Sequence, residues 1–365
     1  MWRDSQPLRT CSPAENEVAL GVAEWSAWAM TSRRILVLGG TSWLGGAVAR
    51  IAHERGNAVT CLARGNSGTV PDGVDLVQAD RWEDGAYDGP VGQDWDAVID
   101  VSWQPELVRS ALAALAPRAG HWVYVSSISV YRDHSADGTD ELHEPWAGTG
   151  EATAEDYGPA KVSCETACLE TVPADQLLIA RVGLIAGYGD RSDRFGYWPA
   201  RVATTESPET VVLVPPMETP VQVIDVEDLA GWLVSTAEAG TSGTYDVAGD
   251  VFGFEELLGE CADVTGKDPT FAAPEQDWLI EKGVEPWAGP ESLPLWLPLP
   301  EYAKMTTHAN DAAKKAGLEL RPLRETVQSA LAWERELGLQ RDRHAGLTSE
   351  REVALIKELL GDAVE

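Results

Sequence analysis

Residues Arg34-Ile35-Leu36-Val37-Leu38 form an apolar run that ends in Gly39-Gly40-Thr41-Ser42-Trp43-Leu44-Gly45-Gly46 and passes into Ala47 to Arg55. A short apolar run closed by glycines reads as a strand and a tight turn, and the stretch after it reads as a helix. Gly39 permits the turn and Gly45 permits close helix–strand packing, which leaves amides at the helix N-terminus aimed at a pyrophosphate. A phosphate site at the first crossover is the expectation.

The alternation continues. Ala58 to Arg64, Trp95 to Val101, His121 to Ser127 and Gln176 to Arg181 read as strands, and Pro105 to Ala116 reads as a helix folding back over them. Strand and helix in alternation predict a parallel, doubly wound α/β core. Ligands in such sheets lie beyond the carboxyl ends of the strands, which is where Ser127 stands. Serines at strand ends also form turns, so Ser127 alone is a weak signal.

Tyr157-Gly158-Pro159-Ala160-Lys161 places a phenol and an ammonium one helical turn apart, on one face. A lysine held there stabilises a phenolate, and a tyrosine so placed can exchange protons with a substrate oxygen. The spacing is common in helices. It carries weight here because it follows both the glycine turn and the serine pair Ser126-Ser127.

Together these residues resemble the extended short-chain dehydrogenase/reductase superfamily, which includes the NAD-dependent epimerases and dehydratases of sugars, and most closely a bacterial reductase-like branch. The resemblance runs from about residue 31 to 337. It rests on Gly39-x-x-Ser42-x-x-Gly45, Asp80, Tyr124 to Tyr131, Tyr157-x-x-x-Lys161, Arg181 to Ile185 and Val221 to Ala230. It implies a Rossmann-type sheet with a smaller, discontinuous C-terminal substrate lobe. It implies Ser127, Tyr157 and Lys161 as the catalytic set. Gly39, Thr41, Ser42, Trp43, Leu44, Gly45, Arg64, Asp80, Val101 and Ser102 are the expected cofactor contacts, together with Tyr157 and Lys161. Trp103, Tyr131, Arg181, Arg194 and Tyr197 are the expected substrate contacts, and no metal is expected.

The departures from the family pattern are informative. Ser42 replaces the middle glycine and brings a hydroxyl beside the phosphate site. Ala63 stands where an acidic residue would bind the ribose of NAD, and Arg64 follows it. A guanidinium there suits a 2′-phosphate, so NADP is expected over NAD.

With 28 basic and 59 acidic residues the chain carries a formal charge of −31, which opposes binding to nucleic acid or an anionic membrane. Cys11, Cys61, Cys164, Cys168 and Cys261 form no metal-binding pair and suit a reducing compartment. Cys164 and Cys168 read as core packing. No apolar run reaches the length of a membrane span. A small-molecule substrate, a cytoplasmic location and a homodimer paired through the helices after Pro105 and Tyr157 are the expectations, the last by resemblance alone.

The expected organisation is a disordered extension over 1–30, a dinucleotide core over 31–185 to which 221–248 returns, a substrate lobe over 186–220 and 249–320, and C-terminal helices over 321–365. The function read from these residues is hydride transfer between nicotinamide and a carbinol or carbonyl carbon, with Tyr157 as acid and base. Epimerisation or dehydration of a sugar nucleotide is the alternative. A non-catalytic nucleotide-sensing or RNA-associated protein is the alternative of another class.

Overall fold

A computed structural model of the chain describes residues 32–361. The expectation for residues 1–30, and Cys11 with it, lies outside the described residues. Strand β1 (Arg34–Leu38) sends Ile35 and Val37 to one side and Leu36 and Leu38 to the other, all fully buried. A strand buried on both faces belongs at the middle of a helix-covered sheet, which explains its continuous apolar run.

After β1 follow α1 (Trp43–Glu54), β2 (Ala58–Ala63), β3 (Asp75–Gln78), β4 (Ala97–Asp100), α2 (Pro105–Leu115), β5 (Trp122–Ser127), α3 (Tyr157–Thr171) and β6 (Leu177–Val182). The next elements are shorter: β7 (Leu184–Ala186), α4 (Tyr197–Ala203), β8 (Val211–Leu213) and β9 (Pro220–Asp225). Then come α5 (Val226–Ala239), β10 (Gly243–Val247), β11 (Val251–Gly253), α6 (Phe254–Thr265) and β12 (Thr270–Ala272). The chain closes with α7 (Gln276–Glu281), β13 (Glu285–Trp287), β14 (Ser292–Pro294), α8 (Asp311–Lys315), α9 (Leu323–Leu337) and α10 (Ser349–Leu360).

The main sheet has seven strands in the order β10-β6-β5-β4-β1-β2-β3, every neighbouring pair parallel. The order reverses between β1 and β4, so the crevice above their carboxyl ends is the place such a sheet offers a ligand. Helices α1 and α5 cover one face and α2 and α3 the other. Cys164 and Cys168 are buried in the α2–α3 layer. Strand β9 does not join this sheet; it pairs with β7 and β11 in a small sheet of three strands, while α5 after it packs on the main core.

The lobe has its own core, in which Phe195, Trp198, Phe254 and Trp296 are fully buried and the Trp198 indole donates to the Pro294 carbonyl at 2.9 Å. Burying side chains of this size contributes about 2–3 kcal/mol each. Helix α9 packs on α4 and α6, and α10 on β8. Thr348 caps α10 by accepting from the Arg351 amide, and Glu352 on α10 pairs with Arg201 and accepts from the Leu213 amide. None of the described helices is long and apolar enough to cross a membrane.

Candidate active site

The glycine turn folds as its residues require. Gly39 has φ +93°, a conformation that favours glycine, and a Cβ on Gly45 would lie 2.2 Å from the Gly39 carbonyl oxygen. Ser42 caps α1: its hydroxyl donates to the Gly39 carbonyl at 2.8 Å and accepts from the Gly45 amide at 3.2 Å. The serine therefore engages one of the amides that the middle glycine of the family leaves open. The amides of Trp43 and Leu44 remain at the helix terminus for an anion.

From this turn a crevice of about 360 Å³ runs over the strand ends, lined by Gly39, Thr41, Ser42, Arg64, Asp80, Val101, Ser102 and Trp103 among others. Arg64 and Asp80 stand 3.9 Å apart at its outer end, and more than half of the Arg64 side chain is exposed. Leu44 and Gly45 are buried behind the turn and do not line the crevice. Arg81, which the sequence did not single out, also lines the crevice. It pairs with the fully buried Asp100 at 3.4 Å, donates to the Leu107 carbonyl at 2.6 Å and contacts the Ser102 hydroxyl. Burial works against the Arg81 charge, but Asp100 and Tyr87 outweigh it and hold the guanidinium above its ordinary pKa. Its only sequence signal is its place beside Asp80.

A second cavity, of about 560 Å³, opens on the other side of Tyr157. Ser127 and Tyr157 both line it. The Ser127 hydroxyl donates to the Ser129 hydroxyl and accepts from the Ser129 amide, each at 3.1 Å, so it forms the strand-end turn while facing the cavity. Trp103, which lines the crevice, has its ring 5.4 Å from that of Tyr157.

Lys161 lies between the two spaces. Buried at 2 % exposure, it donates to the Ser102 carbonyl at 3.0 Å and to the Val125 carbonyl at 2.6 Å, and its nitrogen is 6.0 Å from the centre of the Tyr157 ring. An ammonium has three donors, so one is left for a hydroxyl placed between Lys161 and Tyr157.

The other expected contacts divide. Arg194 lines the larger cavity, and so does Trp43, which was expected on the cofactor side; its indole donates to the Tyr188 carbonyl at 2.7 Å. Tyr131 and Arg181 line neither space. They belong to a network in which Arg181 donates to Glu165 at 2.8 Å and to the Tyr131 hydroxyl at 3.0 Å, and Tyr131 donates to Asp246 at 2.9 Å. Tyr197 is in the lobe core, its ring 5.0 Å from that of Trp198. Asp190, Ser192, Trp287 and Met305 line the larger cavity without having been singled out as site residues. Asp190 lies in the polar stretch Asp190 to Arg194, but nothing local marks Trp287 or Met305.

No family model matches this sequence, and no curated protein matches it. Solved structures do. A protein of Burkholderia cenocepacia superposes with a TM-score of 0.62 at 20% identity, over 84% of this chain and 99% of that one. RMD of Pseudomonas aeruginosa, solved with NADPH, gives 0.57 at 15% over 84% and 100%. The UDP-glucose 4-epimerase of Thermus thermophilus, solved with NAD, gives 0.55 at 14% over 83% and 99%. At these identities the likeness is one of fold: this chain has the Rossmann-type architecture of nicotinamide-dependent epimerases, over nearly the full length of each.

Proposed function

We propose that this chain is an NAD(P)-dependent oxidoreductase of the extended short-chain dehydrogenase type, which moves hydride between nicotinamide and a carbinol or carbonyl carbon. The observation that carries the reading is Lys161, buried between a crevice under the glycine turn and a cavity that holds Tyr157 and Ser127. The donor set suits a dinucleotide. The Trp43 and Leu44 amides fit a pyrophosphate, Asp80 fits the adenosine end, Arg64 fits a 2′-phosphate, and the free donor of Lys161 fits a ribose hydroxyl. We therefore favour NADP over NAD and divide the labour between 31–185 with 221–248 for the cofactor and 186–220 with 249–320 for the substrate.

When bound, the nicotinamide supplies or takes the hydride. Proton movement is the work of the chain. Tyr157 takes the proton from a carbinol oxygen, or gives one to a carbonyl oxygen, while Ser127 donates a hydrogen bond to the same oxygen. Lys161 favours the phenolate by its charge and holds the ribose face of the site. Fixing both partners against the sheet supplies the alignment that a bimolecular encounter lacks.

Epimerisation or dehydration of a sugar nucleotide is the second reading, favoured by the fold shared with the Thermus epimerase. The two differ in whether the hydride returns to the same molecule. The test is to denature the purified protein, identify any released nucleotide, and follow nicotinamide absorbance against sugar nucleotides and small carbonyl compounds. Net absorbance change supports the first reading, isomerised product without net change supports the second, and neither with any compound overturns both in favour of a nucleotide-sensing role. A cytoplasmic homodimer through α2 and α3 is part of the proposal. Part of α3 is covered by the chain's own preceding segment, where the Trp146 amide donates to the Pro159 carbonyl and Ser163 donates to the Trp146 carbonyl, both at 3.1 Å. Light scattering that gives a monomer mass at micromolar concentration removes the dimer.

A further inference from the structure

The larger cavity contains a guanidinium, that of Arg194, whose side chain has no hydrogen-bond or ion-pair partner among the described residues. We propose that Arg194 binds a compact oxyanion, a carboxylate or phosphate carried by the substrate next to the oxygen that Tyr157 serves. The inference rests on the oxidoreductase reading for the role of Tyr157, but the anion site itself stands on its own geometry.

Arg194 lines the cavity with Tyr157 and Ser127. Its guanidinium carbon sits 5.0 Å from the centre of the Trp287 ring, and among the described residues no side chain hydrogen-bonds to it. Burial pulls the guanidinium below its ordinary pKa, with the Asp190 carboxylate opposing. Asp190, the carboxylate in the same cavity, is turned to Ser192, accepting from its amide at 2.8 Å and its hydroxyl at 3.0 Å. A guanidinium stacked on an aromatic face keeps its in-plane donors free, the geometry that suits a bidentate oxyanion. A half-buried cation without a counter-charge carries a desolvation cost, and a ligand anion would offset it.

The surroundings hold this arrangement in place. Trp287 has φ +69°, an unusual conformation for an aromatic residue, and its backbone is tied to Trp296 by a 2.8 Å hydrogen bond. Asp193, with φ +59°, is buried beside Arg194 and accepts from the His344 amide at 2.7 Å and from Arg341 at 3.2 Å. The Arg194 backbone is thus anchored to the C-terminal segment, and its side chain enters the cavity from a fixed base. On a chain of net charge −31 an unpaired guanidinium in a cleft also draws small anions locally.

The test is calorimetry on the full chain with oxalate, inorganic phosphate, UDP and the neutral oxamide as probes. Oxalate or phosphate is expected to bind wild type, roughly tenfold or more weakly to Arg194→Met, and at an intermediate level to Arg194→Lys, with oxamide silent throughout. Thermal midpoints of the variants separate lost binding from lost folding. Equal binding of oxalate and phosphate to wild type and to a folded Arg194→Met overturns the proposal, as does binding of neither probe to wild type. UDP binding that depends on Arg194 without oxalate or phosphate binding overturns the compact-anion form. Tyr157→Phe should bind the oxyanion as wild type does. Oxyanion binding without nicotinamide turnover on any carbonyl would therefore sink the oxidoreductase reading and leave the anion site standing. Turnover of a carbonyl compound that carries a carboxylate or phosphate, with kcat and KM unchanged in Arg194→Met, would do the reverse.

Discussion

The crevice is lined by Trp103 and the cavity by its neighbour Tyr157, yet different parts of the chain hold the two spaces open. The crevice hangs from the parallel sheet: its walls are the ends of β1, β2 and β4, and its floor is the buried Arg81–Asp100 pair. The far wall of the cavity has no such ladder beneath it. It stands on side-chain contacts with the C-terminal helices and the segment between them: Tyr188 donates to Glu336 at 2.8 Å, the Trp333 indole donates to the Asp190 carbonyl at 2.8 Å, and Asp193 sits among Arg341, Arg343 and the His344 amide. Backbone ladders tolerate sequence change, whereas clustered charges respond to single substitutions and to pH. On the proposed reading, the cofactor side rests on the sheet and the substrate side on side-chain contacts with the C-terminal segment.

The largest expected effect is at the seam. Tyr157→Phe should lower turnover by about 10²–10⁴-fold, roughly 3–5 kcal/mol of barrier, while folding and dinucleotide affinity stay near wild type. Wild-type turnover in that variant would show that the two spaces do not cooperate through Tyr157.

On the crevice side, Asp100→Ala leaves the Arg81 charge buried without its partner and should cost about 3–5 kcal/mol in urea unfolding, with loss of dinucleotide binding. A shift under about 1 kcal/mol would mean that the floor is softer than the geometry indicates.

The cavity side should respond to acid. Burial alone would raise the Asp193 carboxyl, but the Arg341 hydrogen bond, the His344 amide and Arg343 outweigh it and hold the carboxyl below the usual aspartate value of 3.8. A carboxylate depressed in the folded state contributes stability that is present above its unfolded pKa and is lost as the pH falls through its folded one. Stability measured from pH 5 downward should therefore fall less steeply in Asp193→Asn than in wild type. At neutral pH that variant should be about 1–3 kcal/mol less stable, with KM raised and dinucleotide affinity kept. Parallel acid profiles for the two proteins would remove the charge cluster as the support of the cavity wall.

The smallest effect is expected at the exposed end of the crevice. Arg64→Ala should leave stability within about 0.5 kcal/mol and narrow the preference for NADP over NAD by about tenfold or less. Equal affinity of the wild type for both dinucleotides would remove the role given to Arg64.

The elements of the core were legible because each is encoded over a few neighbouring residues. The run Arg34 to Leu38, the glycines after it and the Tyr157–Lys161 turn lie within single elements or at their joints, where periodicity and turn chemistry act locally. The same holds for the cysteines at one turn's spacing on α3, read as core packing and buried there. The Trp43 indole lines the larger cavity rather than the crevice, because sequence spacing marks the glycine loop but not which way an indole leaves it. Tyr131 and Arg181 looked like substrate contacts for their chemistry, yet Asp246 and Glu165, brought in by distant elements, claim them.

By itself the amino-acid sequence determined that the chain builds a doubly wound parallel sheet, with a glycine turn at its first crossover and a tyrosine–lysine helix near its middle. Which residues line the larger cavity was decided only by the tertiary structure. The lobe strands are three residues long in β7, β8 and β11 to β14, too short to show a period, and Asp193 meets Arg341 across 148 positions. Contacts at that separation arise from how helices dock on a completed core. No local pattern reports that the Arg194 side chain faces the cavity without a hydrogen-bond partner among the described residues.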